Sequence, residues 1–468
     1  MVHFLSRLVM SFSGFVATIV LTRTLGQTRY GTYVVVLSVL SWVAMAGQFG
    51  LPGAIRKRVS EENDGNYVVS GVVVQFALYT IVAICLWITR PYLNDFMGIA
   101  ATWILILMLG VRLALTFVRT VLDGQHLVHV SSVLSPLEWT SRSIVQVALV
   151  LSGFGIAGAF AGYVTGAVVA TVIGAYFISI PERTPTREEF RRLKAYAQFS
   201  WLGSIKGRTF MSMDTIILAA FVPHGLIAVY EVAWNLASLF AIFGESISRT
   251  LFPEMSMIAS EDKGEDQISG LLRVSLAYSG LFIIPGLVGA AIVGDVVLTI
   301  YGQGFETGYY ILLVLTFARL LYGFMGQFLS TINALDRPDL TFYINGIFVA
   351  VNLGLNVVLT WRFGWYGAAA ATTISAGAGL LLGYYYATRV IEFEVPVDEI
   401  AKQCLSAVVM AVTVFTARYV VGDSLPVVVM LVGIGAGIYF ATLLALSREF
   451  RLTVEENLPF RLPLFPSE

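Results

Sequence analysis

Apolar residues in this chain come in long blocks divided by short polar connectors. The blocks run over about 4–21, 32–53, 67–89, 98–122, 132–153, 156–180, 198–222, 226–249, 268–292, 307–333, 341–363, 367–388, 400–420 and 425–447. Each is near the roughly 20 residues that cross a hydrocarbon core as a helix. Open strands would leave backbone N–H and C=O groups unpaired in lipid, so each block predicts a transmembrane helix. The expected fold class is all-α integral membrane, with about 14 transmembrane helices. The longest polar connectors, 181–194 and 252–267, are too small for an extramembrane domain.

Composition agrees with a bilayer as solvent: 57% of the 468 residues are hydrophobic and 13% charged, against about 45–50% and about 25% in soluble domains. A formal net charge of -1 provides no basic field for nucleic acid. Cys85 and Cys404 stand in separate apolar blocks without metal-type spacing and are expected to pack as small apolar residues. Met1 to Leu21 carry Arg7 and then an apolar run, as a signal peptide does, but no small-residue cleavage site precedes Arg23. A retained first helix is expected.

Lys and Arg set the orientation. With a cytoplasmic N-terminus, sixteen fall on inside segments (among them Arg56, Lys57, Arg58, Arg183, Arg187, Arg191, Arg192 and Lys194) and five outside: Arg23, Arg29, Arg90, Arg362 and Arg418. Both termini are therefore expected in the cytoplasm, in a multi-pass protein of the cell membrane.

An internal repeat organises the chain. Tyr33, Ser41 and Gly47 recur at the spacing of Tyr230, Ser238 and Gly244; Ser70-Gly71 and Tyr79 match Ser269-Gly270 and Tyr278; Phe154, Gly155, Gly158 and Ala159 match Phe363, Gly364, Gly367 and Ala368. The unit is six helices, and an even number preserves orientation. Two parallel, pseudo-symmetric six-helix lobes are expected at 1–180 and 198–392, joined by a basic cytoplasmic linker at 181–197. Residues 393–468 add a C-terminal helix pair and a cytoplasmic tail.

Several stretches carry a family likeness. Thr22-Arg23-Thr24-Leu25-Gly26 followed by Tyr30-Gly31-Thr32-Tyr33, Asp214-Thr215-Ile216-Ile217-Leu218 followed by Val229-Tyr230, Ile300-Tyr301-Gly302-Gln303-Gly304-Phe305, and Phe363-Gly364-x-x-Gly367-Ala368-Ala369 occur in order. Together they resemble the polysaccharide and oligosaccharide flippases of the multidrug/oligosaccharidyl-lipid/polysaccharide exporter superfamily, over most of residues 4–390. The resemblance implies a V-shaped pair of six-helix lobes that moves polyprenyl-(pyro)phosphate-linked oligosaccharide across the cytoplasmic membrane by alternating access. The chain departs from the family in its abrupt start, with little polar sequence before the first helix.

Candidate chemistry lies in the charges inside the blocks, each costing on the order of 2.5–3.5 kcal/mol at the bilayer centre unless partnered or wet. They are Arg7, Arg112, Arg119, Glu138, Arg142, Lys206, Arg208, Asp214, Glu231, Glu245, Arg273 and Arg319. Glu138 and Arg142, four apart, are expected to neutralise one another. Under the family geometry the first, second, seventh and eighth helices face a central cavity, which makes Arg7, Lys206 and Arg208 the candidate phosphate ligands. Asp214, Glu231 and Glu245 are the candidate H⁺ or Na⁺ sites. Interfacial snorkelling and structural ion pairing are the competing readings for each of these residues.

Other patterns carry less. Gly153-x-Gly155-x-x-Gly158 spells a dinucleotide fingerprint but joins two membrane helices, so it reads as a hairpin turn. Asp123, His126 and His129 have helical spacing without a fourth ligand and read as a solvated turn. Gly162-x-x-x-Gly166 and Gly379-x-x-x-Gly383 suit close helix packing. The expected activity is transport without catalysis, metal or organic cofactor, with the lipid-linked oligosaccharide, membrane lipids and glycan-assembly proteins as partners. The alternatives are a drug or metabolite cation antiporter of the same superfamily, a lipid II flippase, and a membrane glycan polymerase or ligase; the last is disfavoured by the lack of a long outward loop.

Overall fold

The computed structural model describes residues 2–61, 65–261 and 264–457; within helices, residues 2–12, 199–212 and 456–457 are described without their side chains. Among the described residues every regular element is helical. Helix α1 (Val2–Gln48) holds the first two apolar blocks. Its 47 residues would span about 70 Å if straight, more than twice the hydrocarbon thickness. Gly26 relieves this: at φ 71, ψ 171 it breaks the helix between the two blocks. Phe49 and Gly50, both at positive φ, then turn the chain into the short helix α2 (Leu51–Ser60).

Helix α3 (Tyr67–Ile88) is capped by the Asn66 side chain, and α4 (Arg90–Met97) lies between it and α5 (Thr102–Gly124). There follow α6 (Val128–Leu149), a π-helical turn at 150–154, α7 (Gly155–Tyr176), α8 (Arg187–Phe221) and α9 (His224–Ser260). The block at 268–292 is not one helix: α10 (Glu265–Ser279) and α11 (Ile283–Thr299) are separated by a break at 280–282. A 3₁₀ turn at 305–308 precedes α12 (Tyr309–Ala334), α13 (Pro338–Phe363), α14 (Trp365–Val390), α15 (Val397–Val421), α16 (Leu425–Leu446) and α17 (Arg448–Asn457). Eleven helical stretches among the described residues are long and apolar enough to cross a membrane. Large apolar side chains such as Phe76 (68% exposed) and Leu381 (71%) stand on the outer surface, where only lipid is a good solvent.

The chain folds as two compact units, one of residues 1–231 with 301–303 and one of 232–300 with 304–468. In the first, Leu51, Ala54 and Ile55 of α2 pack with Tyr67 and Val68 of α3 and with Leu193 and Ala197 of α8. Arg56 to Arg58 thus ride on a docked helix rather than a loop, with Lys57 over the Tyr196 ring. Residues 187–197 form the first turns of α8. Thr186 and Glu189 make a capping box, and buried Glu189 also accepts hydrogen bonds from Asn66 N (3.1 Å) and Ser70 Oγ (2.8 Å). In the second unit, α15 and α16 pack on α11 through Val293, Met410, Val414, Leu431 and Tyr439. Cys85 and Cys404 are free and stand exposed on the apolar outer surface of α3 and α15.

Local geometry repeats where the sequence does. Gly155 (φ 55, ψ -138) and Gly364 (φ 60, ψ -140) begin α7 and α14 in the same positive-φ conformation, which favours glycine. Three residues on, a Cβ at Gly158 would meet Leu149 Cβ at 2.9 Å, and one at Gly367 would run into the Leu359 carbonyl oxygen. The turns into α6 and α13 also match. His126 (φ 60) and Asp336 (φ 55) close them, with Leu127 N donating to Leu122 O (2.8 Å) and Arg337 N to Ile332 O (3.1 Å). Each is a helix-ending αL turn with its six-to-one hydrogen bond. His126 is therefore a turn residue, and no metal-binding grouping occurs among the described residues.

Candidate functional site

Among the described residues, three polar clusters stand out inside the apolar helices. The first is a ladder of arginines on α5 and α6. Glu138, 3% exposed, receives Arg119 Nη2 at 2.7 Å and has Arg112 Nη1 at 3.7 Å. The two arginines are seven residues apart, hence on one face and about 10 Å apart along α5. Arg142 feels the charge of Glu138, as their spacing suggests, but its direct contacts lie elsewhere. It turns across to α1 and donates to the Tyr33 hydroxyl (2.7 Å), lying against the rings of Trp139 (4.8 Å) and Tyr163 (4.7 Å). The hydroxyl and the two π faces supply the close partners that a buried guanidinium needs, while Glu138 is in direct contact with the other two arginines. Gln146, one turn further, donates to the same Tyr33 hydroxyl (2.6 Å) and to Ala159 O (2.7 Å), tying α1, α6 and α7.

That convergence demands close backbones. A Cβ at Gly162 would clash with Gln146 Cγ, and one at Gly166 would lie 2.6 Å from the Glu138 carbonyl oxygen. The small-residue spacing read as a packing motif thus places α7 against the face of α6 that carries the charges. Apart from Asp123 in the last turn of α5, the helices α5 and α6 of this first unit hold three guanidiniums and one carboxylate, and Arg112 remains about a third exposed.

The second cluster surrounds the Tyr30-Gly31-Thr32-Tyr33 stretch. Gly31 approaches α9 so closely that a Cβ would overlap the His224 carbonyl oxygen. Thr32 Oγ1 lies 3.0 Å from His224 Nδ1. Tyr30 is buried, and Glu231 is within its electrostatic reach. Asp214 on α8 is half-buried and accepts a hydrogen bond from Tyr230 of α9 (3.1 Å). Of the candidate ion-site residues, Asp214 and Glu231 therefore both meet tyrosines, and Tyr230 is the repeat counterpart of Tyr33.

The third cluster, in the second unit, centres on Arg319 of α12. Its Nη2 donates to Ser238 Oγ (2.6 Å), its guanidinium covers the Trp234 ring at 3.9 Å, and Nη1 lies 3.9 Å from Glu245 Oε1. Glu245, the remaining candidate for the ion site, is half exposed and is engaged by this arginine. Trp234 and Ser238 carried no functional signal in the sequence beyond the repeat, because an indole and a serine on an apolar helix read as packing. The candidate phosphate ligands Arg7, on α1, and Lys206 and Arg208, on α8, have side chains outside the described residues.

Known proteins are similar to this chain, some in sequence and some in fold. A family model described as "Polysaccharide biosynthesis protein" matches residues 1–259. A probable flippase, AglR, of Haloferax volcanii is 31% identical over 463 residues, covering 97% of each chain. A probable low-salt glycan biosynthesis flippase, Agl15, of the same organism is 26% identical over 448 residues, covering 94% of each. Among solved structures, the lipid II flippase MurJ in an inward closed conformation superimposes with a TM-score of 0.80 at 15% identity, covering 96% of this chain and 99% of that one. The last likeness is one of fold.

Proposed function

Because the chain belongs to the polysaccharide biosynthesis protein family, we propose that it is a flippase that moves a polyprenyl-(pyro)phosphate-linked oligosaccharide across the cytoplasmic membrane by alternating access, without covalent chemistry. One observation carries this reading: inside α5 and α6, away from Asp123 in the last turn of α5, three arginines, Arg112, Arg119 and Arg142, accompany a single carboxylate, Glu138. Fixed positive charge in excess of nearby negative charge is costly in lipid, and is tolerated where water and an anionic group visit it. A phosphate or pyrophosphate is an anion that a guanidinium fork can hold through two parallel hydrogen bonds.

On this proposal Arg7, Lys206 and Arg208 hold the phosphate, with the exposed part of Arg112 as a further cation on its path. Asp214, oriented by Tyr230, is the first-choice H⁺ or Na⁺ site, with Glu231 and Glu245 as the others. Both termini are cytoplasmic, so the cargo enters on the side of α2 and α17 and leaves on that of α4, and glycan-assembly proteins supply and receive it. The test is the double substitution Lys206→Ala and Arg208→Ala. Each lost charge-assisted contact is worth about 1.5–3 kcal/mol, so surface glycan should fall at least ~10-fold while membrane abundance of the protein stays at the wild-type level. Undiminished glycan export by that variant would refute the assignment.

A further inference from the structure

A further polar site lies in a depression of about 540 Å³ within the second unit, lined by the ends of α11, α12, α14 and α15 and by the turn at 305–308. Its floor is fixed. Arg418 forks onto Asp295 with Nη1–Oδ1 at 3.0 Å and Nη2–Oδ2 at 2.8 Å, Nη2 also reaches Asp423 at 3.2 Å, and Nη1 donates to the Ile292 carbonyl. Tyr309 donates to Ala291 O (2.7 Å) and stands edge-on to Tyr310, ring centres 5.1 Å apart. The walls are open: Tyr310 is 63% and Tyr366 46% exposed, and Glu306 is exposed beside them. The turn at Gly304, at positive φ, buries Phe305 to 1% exposure and so presents Glu306 and Thr307 to the depression.

We propose that this depression binds uncharged sugar rings of an oligosaccharide on the outer face of the membrane. The proposal deepens the flippase reading and rests on it for the identity of the cargo. The outward placement follows from the Lys and Arg distribution, which puts the loops after α11, α13 and α15 outside. Three observations select the ligand class. Exposed tyrosine faces offer flat apolar surface to the C–H faces of a sugar ring, and carboxylate edges accept from its hydroxyls. Asp295, Glu306 and Asp423 outnumber Arg418, whose guanidinium is already engaged, so the site repels phosphate and anionic lipid headgroups. The volume falls in the roughly 300–1,000 Å³ range of small-molecule sites and accommodates a disaccharide. Tyrosines of an interfacial belt would face lipid, whereas these border a charged concavity.

The experiment uses the full chain in lipid nanodiscs and proteoliposomes, comparing wild type with the Tyr310→Ala/Tyr366→Ala variant. Saturation-transfer NMR with a free neutral tetrasaccharide reads binding, and an impermeant lectin reads the flipping of two synthetic polyprenyl-pyrophosphate cargoes, one bearing a single hexose and one the tetrasaccharide. Wild type should saturate the free sugar, and the double variant should lower both that signal and the tetrasaccharide-to-hexose rate ratio about five-fold. Tyr310→Phe retains the ring and should stay within about two-fold of wild type. Equal sugar saturation in wild type and double variant, or none in either, overturns the proposal, as does an unchanged rate ratio. If wild type flips neither cargo the flippase reading fails, and the NMR comparison still decides whether the depression takes sugar.

Discussion

Replacing Glu138 by alanine tests the charge ladder. Glu138 is the carboxylate shared by Arg119 at 2.7 Å and Arg112 at 3.7 Å, and it is 3% exposed. Breaking a fully buried pair by removing one partner costs about 3–5 kcal/mol, since the other charge stays unsatisfied in low dielectric. Here the arginines are 25% and 34% exposed, so each can turn part of its guanidinium toward water. The cost is accordingly discounted to about 2–3 kcal/mol, a ~30- to ~150-fold shift in the folded-to-unfolded ratio. Glu138→Gln retains an acceptor for Arg119 and should lose about half as much. Equilibrium unfolding in mixed micelles reads the difference, with Arg119→Ala and the double variant completing a cycle. Destabilisation by the double change should be at least ~1 kcal/mol smaller than the sum of the single changes, because removing Arg119 as well relieves the uncompensated charge. Strict additivity, or Glu138→Ala unfolding within ~0.5 kcal/mol of wild type, would refute the reasoning.

Two further outcomes follow from the same region. Tyr33→Phe removes the hydroxyl that accepts from Arg142 and Gln146, so it should destabilise by about 1–3 kcal/mol in the same unfolding assay, a large effect for the loss of one oxygen atom. Gly162→Ala drives a Cβ into Gln146 Cγ and should cost about 1–3 kcal/mol, whereas Gly354→Ala, where no atom lies within 4 Å, should be neutral or slightly stabilising by unfolding midpoint.

Legibility differed from element to element. The blocks at 67–89, 341–363 and 425–447 agree with α3, α13 and α16 to within a few residues, since each is a single apolar run ended by polar or glycine residues. The block at 268–292 concealed a break: Ser279-Gly280 and Pro285 flank it, but both sit inside one continuous apolar run of membrane-spanning length, so hydropathy alone reads a single helix. Helices α2 and α4 were missed for the opposite reason: they are short and polar, and α2 forms by docking Leu51 and Ile55 on its neighbours. At the candidate site, the sequence marked every charge inside the membrane but not its partners. Arg142 spaced four from Glu138 has a local choice of partner, and only the proximity of Tyr33, more than a hundred residues earlier, overrides it.

What the chain determined by itself is whatever a single solvent imposes on every segment. Lipid requires about twenty apolar residues in a helix at each crossing and penalises each charge separately, so membrane class, most crossings, the repeat and the roster of costly charges are readable one segment at a time. Tertiary structure decided the pairings: Arg119 with Glu138, Arg142 with Tyr33, Arg319 with Trp234 and Arg418 with Asp295. A guanidinium's partner depends on which helices pack side by side and how closely their glycines let them approach, and that is a property of neighbouring segments together rather than of any segment alone.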